Sequence, residues 1–207
     1  MDQTPFSPPR PPGLGDAAPD FHTRSTQGDI QLSRLRGRWV ILFSHPADFT
    51  PVCSTEFAEL ARRQDDFEAL NCSLLGLSVD SLYSHLAWIR ALRDLFGVEV
   101  RFPVLEDPSM AIGRAYGMVD AQATDSMTMR ATFFIDPEGV IRAVTSYPHN
   151  VGRSVEEMLR LLTALQRVAD GKRLAPEGWT PAKPLLRPAL DRPGDGADWF
   201  CRLEGKP

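Results

Sequence analysis

The stretch His45-Pro-Ala-Asp-Phe-Thr-Pro-Val-Cys-Ser-Thr-Glu56 follows directly on the apolar run Trp39-Val-Ile-Leu-Phe43. An unbroken apolar run of strand length is the kind a sheet buries on both faces, which predicts a strand over 38–44. Phe57, Leu60, Ala61, Phe67 and Leu70 then recur at helical spacing and predict a helix over 52–69. Cys53 thus falls in the first turn of a helix that opens just after a buried strand. There the unpaired N–H groups and the positive end of the helix dipole favour thiolate over thiol. A free cysteine with the ordinary pKa is only about 3% thiolate at pH 7, so such help decides whether it can attack anything. The competing reading is a buried, inert thiol, the commoner fate of a lone cysteine.

Outward from this junction the chain alternates strands and helices. Segments 21–24 and 29–32, separated by Gln27-Gly28, read as a hairpin. Residues 72–79 form a second buried strand, and 81–96 an amphipathic helix carrying Leu82, Leu86, Ile89 and Leu92 and stopped by Gly97. A short strand is expected over 102–105 and a short helix over 109–116. Segments 130–136 and 140–146 flank Pro137-Glu138-Gly139, a hairpin turn. A last helix spans 154–169, with Ser154 as N-cap, Glu157 completing a capping box and Gly171 as stop. This order predicts an α/β sandwich with a mixed central sheet.

Composition sets off two flanks. Residues 1–14 include the run PPRPPG and read as an extended arm. Residues 171–207 carry Pro176, Pro181, Pro184, Pro188 and Pro193 and read as an extended C-terminal segment. The folded domain is therefore expected over 15–170. The tail contains Asp198-Trp-Phe-Cys201, an apolar patch that wants a surface to bury against.

The totals exclude several classes. A net charge of -4 argues against a nucleic-acid binder, which would present a basic face. No apolar run approaches the length needed to span a bilayer, and no signal peptide is expected from the polar, proline-rich start. Three cysteines, an odd number, make no disulfide scaffold and point to a reducing cytoplasm. The spacing C-x-x-C is absent, which argues against a zinc site, a thioredoxin-type pair or a thiol-disulfide oxidoreductase.

Pro46, Thr50 and Cys53 form the pattern P-x-x-x-T-x-x-C. At a strand-to-helix junction this pattern resembles the peroxiredoxin family, thiol peroxidases with a thioredoxin-like fold. The resemblance runs from about Leu14 to Gln166. It includes Leu14-Gly-Asp-Ala-Ala-Pro-Asp-Phe21 and Arg130-Ala-Thr-Phe-Phe-Ile-Asp-Pro-Glu-Gly139. The string from His45 to Cys53 is most similar to the 1-Cys subgroup.

The resemblance implies a peroxidase that reduces hydrogen peroxide or organic hydroperoxides without metal or organic cofactor. Cys53 would attack one peroxide oxygen and become a sulfenic acid. Thr50 would give and accept a hydrogen bond at the substrate, Pro46 would shield the sulfur, and Arg130 would supply a permanent cation. Glu56 would orient that arginine, Arg153 matches a second arginine near the pocket, and His45 would line the pocket or bond backbone at the strand end. Cys72, inside an apolar strand, reads as core.

Cys201 resembles the aromatic-Cys ending of the archaeal branch, in which a C-terminal cysteine condenses with the sulfenic acid of a neighbouring subunit. Only Arg-Leu-Glu-Gly-Lys-Pro follows it, a shorter end than that pattern. The implied partners are a peroxide, a thiol reductant (a thioredoxin-like protein or a small thiol such as glutathione), and a second subunit in a homodimer or ring of dimers. Two alternatives stand beside this reading: a true 1-Cys peroxidase served by an external thiol, and a redox sensor or chaperone that uses Cys53 without turnover. A lipase-type G-x-S-x-G is not present.

Overall fold

The computed structural model describes residues 10–119, 125–189 and 200–204. Most of the N-terminal arm, with Asp198 and Trp199 of the C-terminal patch, lies outside the described residues. The chain divides into two compact units, Met1–Arg153 and Ser154–Pro207. This division follows packing, whereas the boundary expected after residue 170 follows composition.

The first unit is built on a seven-stranded sheet. Its strands are β1 His22–Ser25, β2 Gly28–Gln31, β3 Trp39–Ser44, β4 Cys72–Ser78, β5 Val104–Glu106, β6 Arg130–Ile135 and β7 Ile141–Tyr147, in the order β2-β1-β5-β4-β3-β6-β7. Strands β3, β4 and β5 are parallel neighbours, and the other pairs are antiparallel. The sheet is therefore mixed, as the alternation of elements and the late hairpin require. Helices α1 Pro51–Ala69 and α2 Leu82–Phe96 are the crossovers of the parallel strands, and α3 Ala111–Ala115 follows β5.

Alternation along the strands sorts the core onto two faces. Val40, Leu42, Leu75, Leu77, Leu105, Phe133 and Ile135 pack with Tyr116 and Met118 on one face. On the other, Phe43 meets Phe57 of α1 and Phe102 edge-on, and Phe57 lies 4.5 Å from Trp88 of α2, centroid to centroid. Gly76 of β4 makes room for these rings, because a Cβ there would come within 3.1 Å of Phe57 and 3.3 Å of Phe43.

Most boundaries shift by a residue from expectation, and three of the differences have a plain local reason. β5 begins at Val104, not at 102, because Pro103 has no N–H to give a ladder. The helix expected from 109 begins only at Ala111, since Met110 has a left-handed backbone (φ 60°). Helix α1 begins one residue early, with Pro51 at its first position and Thr50 as N-cap.

The second unit holds α4 Val155–Val168 and a small pair of strands, β8 Leu186–Arg187 and β9 Arg202–Leu203. Ser154 caps α4 by accepting from the Glu157 N–H at 3.1 Å. The expected capping box is only half made: the Glu157 carboxylate accepts from Arg160 at 2.6 and 2.8 Å instead. The proline-rich segment is more ordered than its composition predicts. Trp179 is buried with Ala164 and Leu185, its Nε1 donates to Lys183 O at 2.9 Å, and Arg160 donates to Trp179 O at 3.0 Å.

Candidate active site

Strand pairing gathers the site before any side chain is considered. Phe43 stands opposite Thr132, so the end of β3 and the start of β6 share one end of the sheet. Arg130 stands opposite Tyr147, which brings the loop 148–153 to that same end. These are the carboxyl ends of the parallel strands, where open α/β sheets place their ligands.

Cys53 lies in the first turn of α1 and is fully buried. Arg130 donates from Nη1 to Cys53 Sγ at 3.3 Å and to Glu56 Oε2 at 2.8 Å. Its Nε and Nη2 both donate to the main-chain oxygen of His149, at 3.0 and 2.8 Å. Arg153 grips the same carboxylate: its backbone N–H and Nε reach Oε1 at 2.7 and 3.0 Å, and Nη2 reaches Oε2 at 2.8 Å. Its Nη1 donates to Ala131 O and Thr132 Oγ1, and the guanidinium lies 5.3 Å from the Phe43 ring centroid.

Charge counting shows what this cluster favours. Two guanidiniums and one carboxylate, all buried, leave one positive charge uncompensated. An anion placed beside Arg130 would supply the missing charge at short range. Burial pushes the Glu56 carboxyl up, but the bonds and charge of Arg153 and the charge of Arg130 outweigh it and hold Glu56 below its ordinary range. Glu56 is therefore the shared anchor of both arginines.

Pro46 is buried just before the turn, and Thr50 donates its hydroxyl to Ala47 O at 2.9 Å, leaving the oxygen lone pairs as acceptors. The first helical turn is tied by Ser54, whose N–H and Oγ donate to Thr50 O at 3.0 and 2.8 Å and whose Oγ accepts from Trp88 at 3.3 Å. His45 bonds Asp48 through Nε2 at 3.0 Å and stacks on Trp88. A cleft lined by Met129, Ser146, Tyr147, Pro148 and His149 opens beside Arg130. A second cavity, lined by Arg38, Glu68, Cys72 and Arg101 among others, holds none of these site residues.

Burial pushes the Cys72 thiol up to about 12, which makes it inert as a nucleophile. Cys201 belongs to the second unit, is exposed and stands directly before β9. Asp48, His85 and the His149 carbonyl also border the site, and no motif in the sequence marks them. The signal for His85 was present: it sits three residues after Leu82, on the apolar stripe of α2, where an unpaired histidine would be costly.

The family model described as AhpC/TSA family matches residues 14–144. The chain belongs to that family. A protein named Peroxiredoxin 2 from Caldanaerobacter subterraneus subsp. tengcongensis is 46% identical over 177 residues, covering 86% of this chain and 80% of its own. Another Peroxiredoxin 2, from Picrophilus torridus, is 44% identical over 199 residues, covering 92% and 98%. Among solved structures, a yeast mitochondrial 1-Cys peroxiredoxin superposes with a TM-score of 0.79 at 37% identity, covering 84% of this chain and 86% of its own. A reduced 2-Cys peroxiredoxin of Plasmodium vivax also gives 0.79, at 31% identity, covering 86% and 95%. The protein is a thiol-dependent peroxidase of thioredoxin-like fold, acting on a peroxide at the expense of a thiol.

Proposed function

We propose that Cys53 is the peroxidatic residue, and the 3.3 Å contact between Arg130 Nη1 and its sulfur carries this reading. The thiolate attacks one peroxide oxygen. The S–O bond forms as the O–O bond breaks, sulfur is oxidised by two electrons to the sulfenic acid, and the leaving oxygen takes a proton to become water or an alcohol. Arg130 makes four hydrogen bonds, which leaves an Nη2 hydrogen for the substrate. Arg153 and Glu56 hold that guanidinium, and Pro46 keeps the turn in shape. Thr50, with its own proton spent on Ala47 O, accepts a hydrogen bond from the peroxide O–H. His45 borders the turn from below through Asp48.

Thr50→Val keeps the shape and removes that acceptor. The second-order rate constant with hydrogen peroxide is expected to fall by about ten- to a thousandfold, the scale of losing one positioned hydrogen-bonding group. Stopped-flow kinetics giving an unchanged constant would take Thr50 out of the mechanism.

The second half of the reading concerns Cys201. Its thiol attacks the Cys53 sulfenic acid of a partner subunit, forming the disulfide and releasing water, and a thioredoxin-like protein or small thiol then reduces the bond. Disulfide geometry demands closely approaching Cα atoms, so buried Cys53 must first leave its helical turn. The assembly is a homodimer or a ring of dimers, and the location is the cytoplasm. That location rests on the odd cysteine count; no described helix is long and apolar enough to cross a membrane.

Peroxide-treated protein should run as a disulfide-linked dimer on a non-reducing gel, and Cys201→Ser should abolish it. That variant should keep the first peroxide reduction at full speed yet be inactivated at least about tenfold faster in excess peroxide, because an uncaptured sulfenic acid goes on to sulfinic acid. Mass spectrometry after one equivalent of peroxide separates the alternatives. A lasting Cys53 sulfenic acid with Cys201 still free would make the enzyme 1-Cys, served by an external thiol.

A further inference from the structure

A second buried polar cluster lies under the turn that presents Thr50 and Cys53. Phe49 in that turn has a φ of 58°, a left-handed backbone that bulky residues rarely adopt and that carries strain. Such a conformation persists only where its surroundings over-determine it. Asp48, the residue before it, supplies the restraint. Its N–H donates to Asp80 Oδ2 at 2.9 Å. Its carboxylate meets His45 Nε2 at 3.0 Å and His85 Nδ1 at 2.8 and 3.1 Å. The other nitrogen of His85 meets Leu105 O at 3.1 Å. His45 and His85 are both 0% exposed.

Counting donors places the protons. A main-chain carbonyl only accepts, so His85 Nε2 carries hydrogen. Burial pushes the Asp48 carboxyl up, but the bonds from His45 and His85 outweigh it and hold the group below the ordinary carboxylate range, hence ionised. An ionised carboxylate also only accepts, so His85 Nδ1 and His45 Nε2 carry hydrogen as well. His85 is then an imidazolium. Burial holds the His45 ring low and neutral, with its bare Nδ1 unpartnered among the described residues.

Asp48 and His85 therefore cancel in charge. The other charged groups that face them are Asp80, after β4, and Glu106, on β5. The ligand atoms of His45, Asp48 and His85 lie within 4.8 Å of one another, a spacing that can hold an ion. Here the hydrogen bonds already engage Asp48 and both nitrogens of His85, and a proton fills that place.

We propose that His85 is a positioning residue for the peroxide reaction: as an imidazolium between Leu105 O and Asp48, it clamps the strained turn that presents Thr50 and Cys53. The clamp reaches from α2 and β5, the rigid elements behind the turn, to the one loop whose displacement would misplace both reacting groups. The inference rests on Cys53 being the peroxidatic residue.

Two near-isosteric variants divide the ring's two bonds. His85→Gln places its amide nitrogen near the Nε2 position and keeps the bond to Leu105 O while losing Asp48. His85→Asn places it near Nδ1 and keeps Asp48 while losing Leu105. The rate constant with hydrogen peroxide is expected to fall by about ten- to a hundredfold in His85→Gln, the scale of a misplaced reacting group, and by less than about threefold in His85→Asn. Equal losses in the two variants, or a wild-type rate in His85→Gln, overturn the proposal.

An independent reading comes from ¹H–¹⁵N correlation spectra of the histidine rings at pH 7. Both nitrogens of His85 should carry hydrogen in the wild-type protein, and only one in Asp48→Asn. A neutral His85 ring in the wild type overturns the clamp, even if His85→Gln does not fold. These spectra do not depend on turnover, so they separate failure of the clamp from failure of the Cys53 assignment, which Cys53→Ser tests.

Discussion

Cys53→Ser is expected to abolish peroxidase turnover while the fold survives. The position is fully buried in a helical turn, and a hydroxyl is smaller than the thiol it replaces, so packing is not strained. The chemistry is what fails. A serine hydroxyl does not ionise near neutral pH, so in the role proposed for Cys53 the peroxide loses its nucleophile. Removing a catalytic nucleophile costs several orders of magnitude in other enzymes, and a loss of at least about a thousandfold is expected here. Peroxide consumption in the presence of a thiol reductant measures it, with circular dichroism as the check on folding. Residual turnover above about a tenth of wild type would move the peroxidatic role to another residue.

The fold was legible wherever one local signal dominated. The run 38–44 reads as a strand buried on both faces and forms one over 39–44, and the stripes of α1 and α2 set their length to within a residue or two. Legibility failed where a backbone state overrode the pattern, as at Met110, or where a residue lacked a donor, as at Pro103. It failed again in the C-terminal segment, where proline spacing concealed that Trp179 has a buried seat beside α4 residue Ala164.

The site divides along the same line. Pro46, Thr50, Cys53 and Glu56 lie within one short stretch, and their pattern could be read directly. Arg130 and Arg153 entered only through resemblance, because no local rule says that residues 74 and 97 positions beyond Glu56 meet on its carboxylate. Strand register supplies that link, and register is not visible until β3, β6 and β7 are paired. The same holds for Asp48 and His85, which are 37 residues apart: the apolar stripe of α2 shows that His85 needs a partner, but only the fold shows that the partner is Asp48.

Glu56 should prove as costly to lose as any residue outside the nucleophile. It accepts from Arg130, from Arg153 twice and from the Arg153 backbone, and all three side chains are buried. Glu56→Gln keeps the shape but leaves two buried cations facing a neutral amide. Breaking a buried ion pair from one side costs about 3–5 kcal/mol, since the remaining charge cannot be resolvated. Urea unfolding at pH 7 should register that loss, and the peroxide rate should fall with it because Arg130 no longer has its anchor.

Acid provides the signed test. The folded protein holds the Glu56 carboxyl below its ordinary range, so the unfolded chain takes up this proton first as pH falls. The stability it contributes is complete above the unfolded value, near about 4.3, and is lost as pH drops through the lower folded value. Wild-type protein should therefore lose stability across that window more steeply than Glu56→Gln, which has no carboxyl to protonate, and the gap between the two should narrow in acid. A gap that stays constant with pH would mean that Glu56 stabilises the site by packing alone, and that the two arginines are held by something other than its charge.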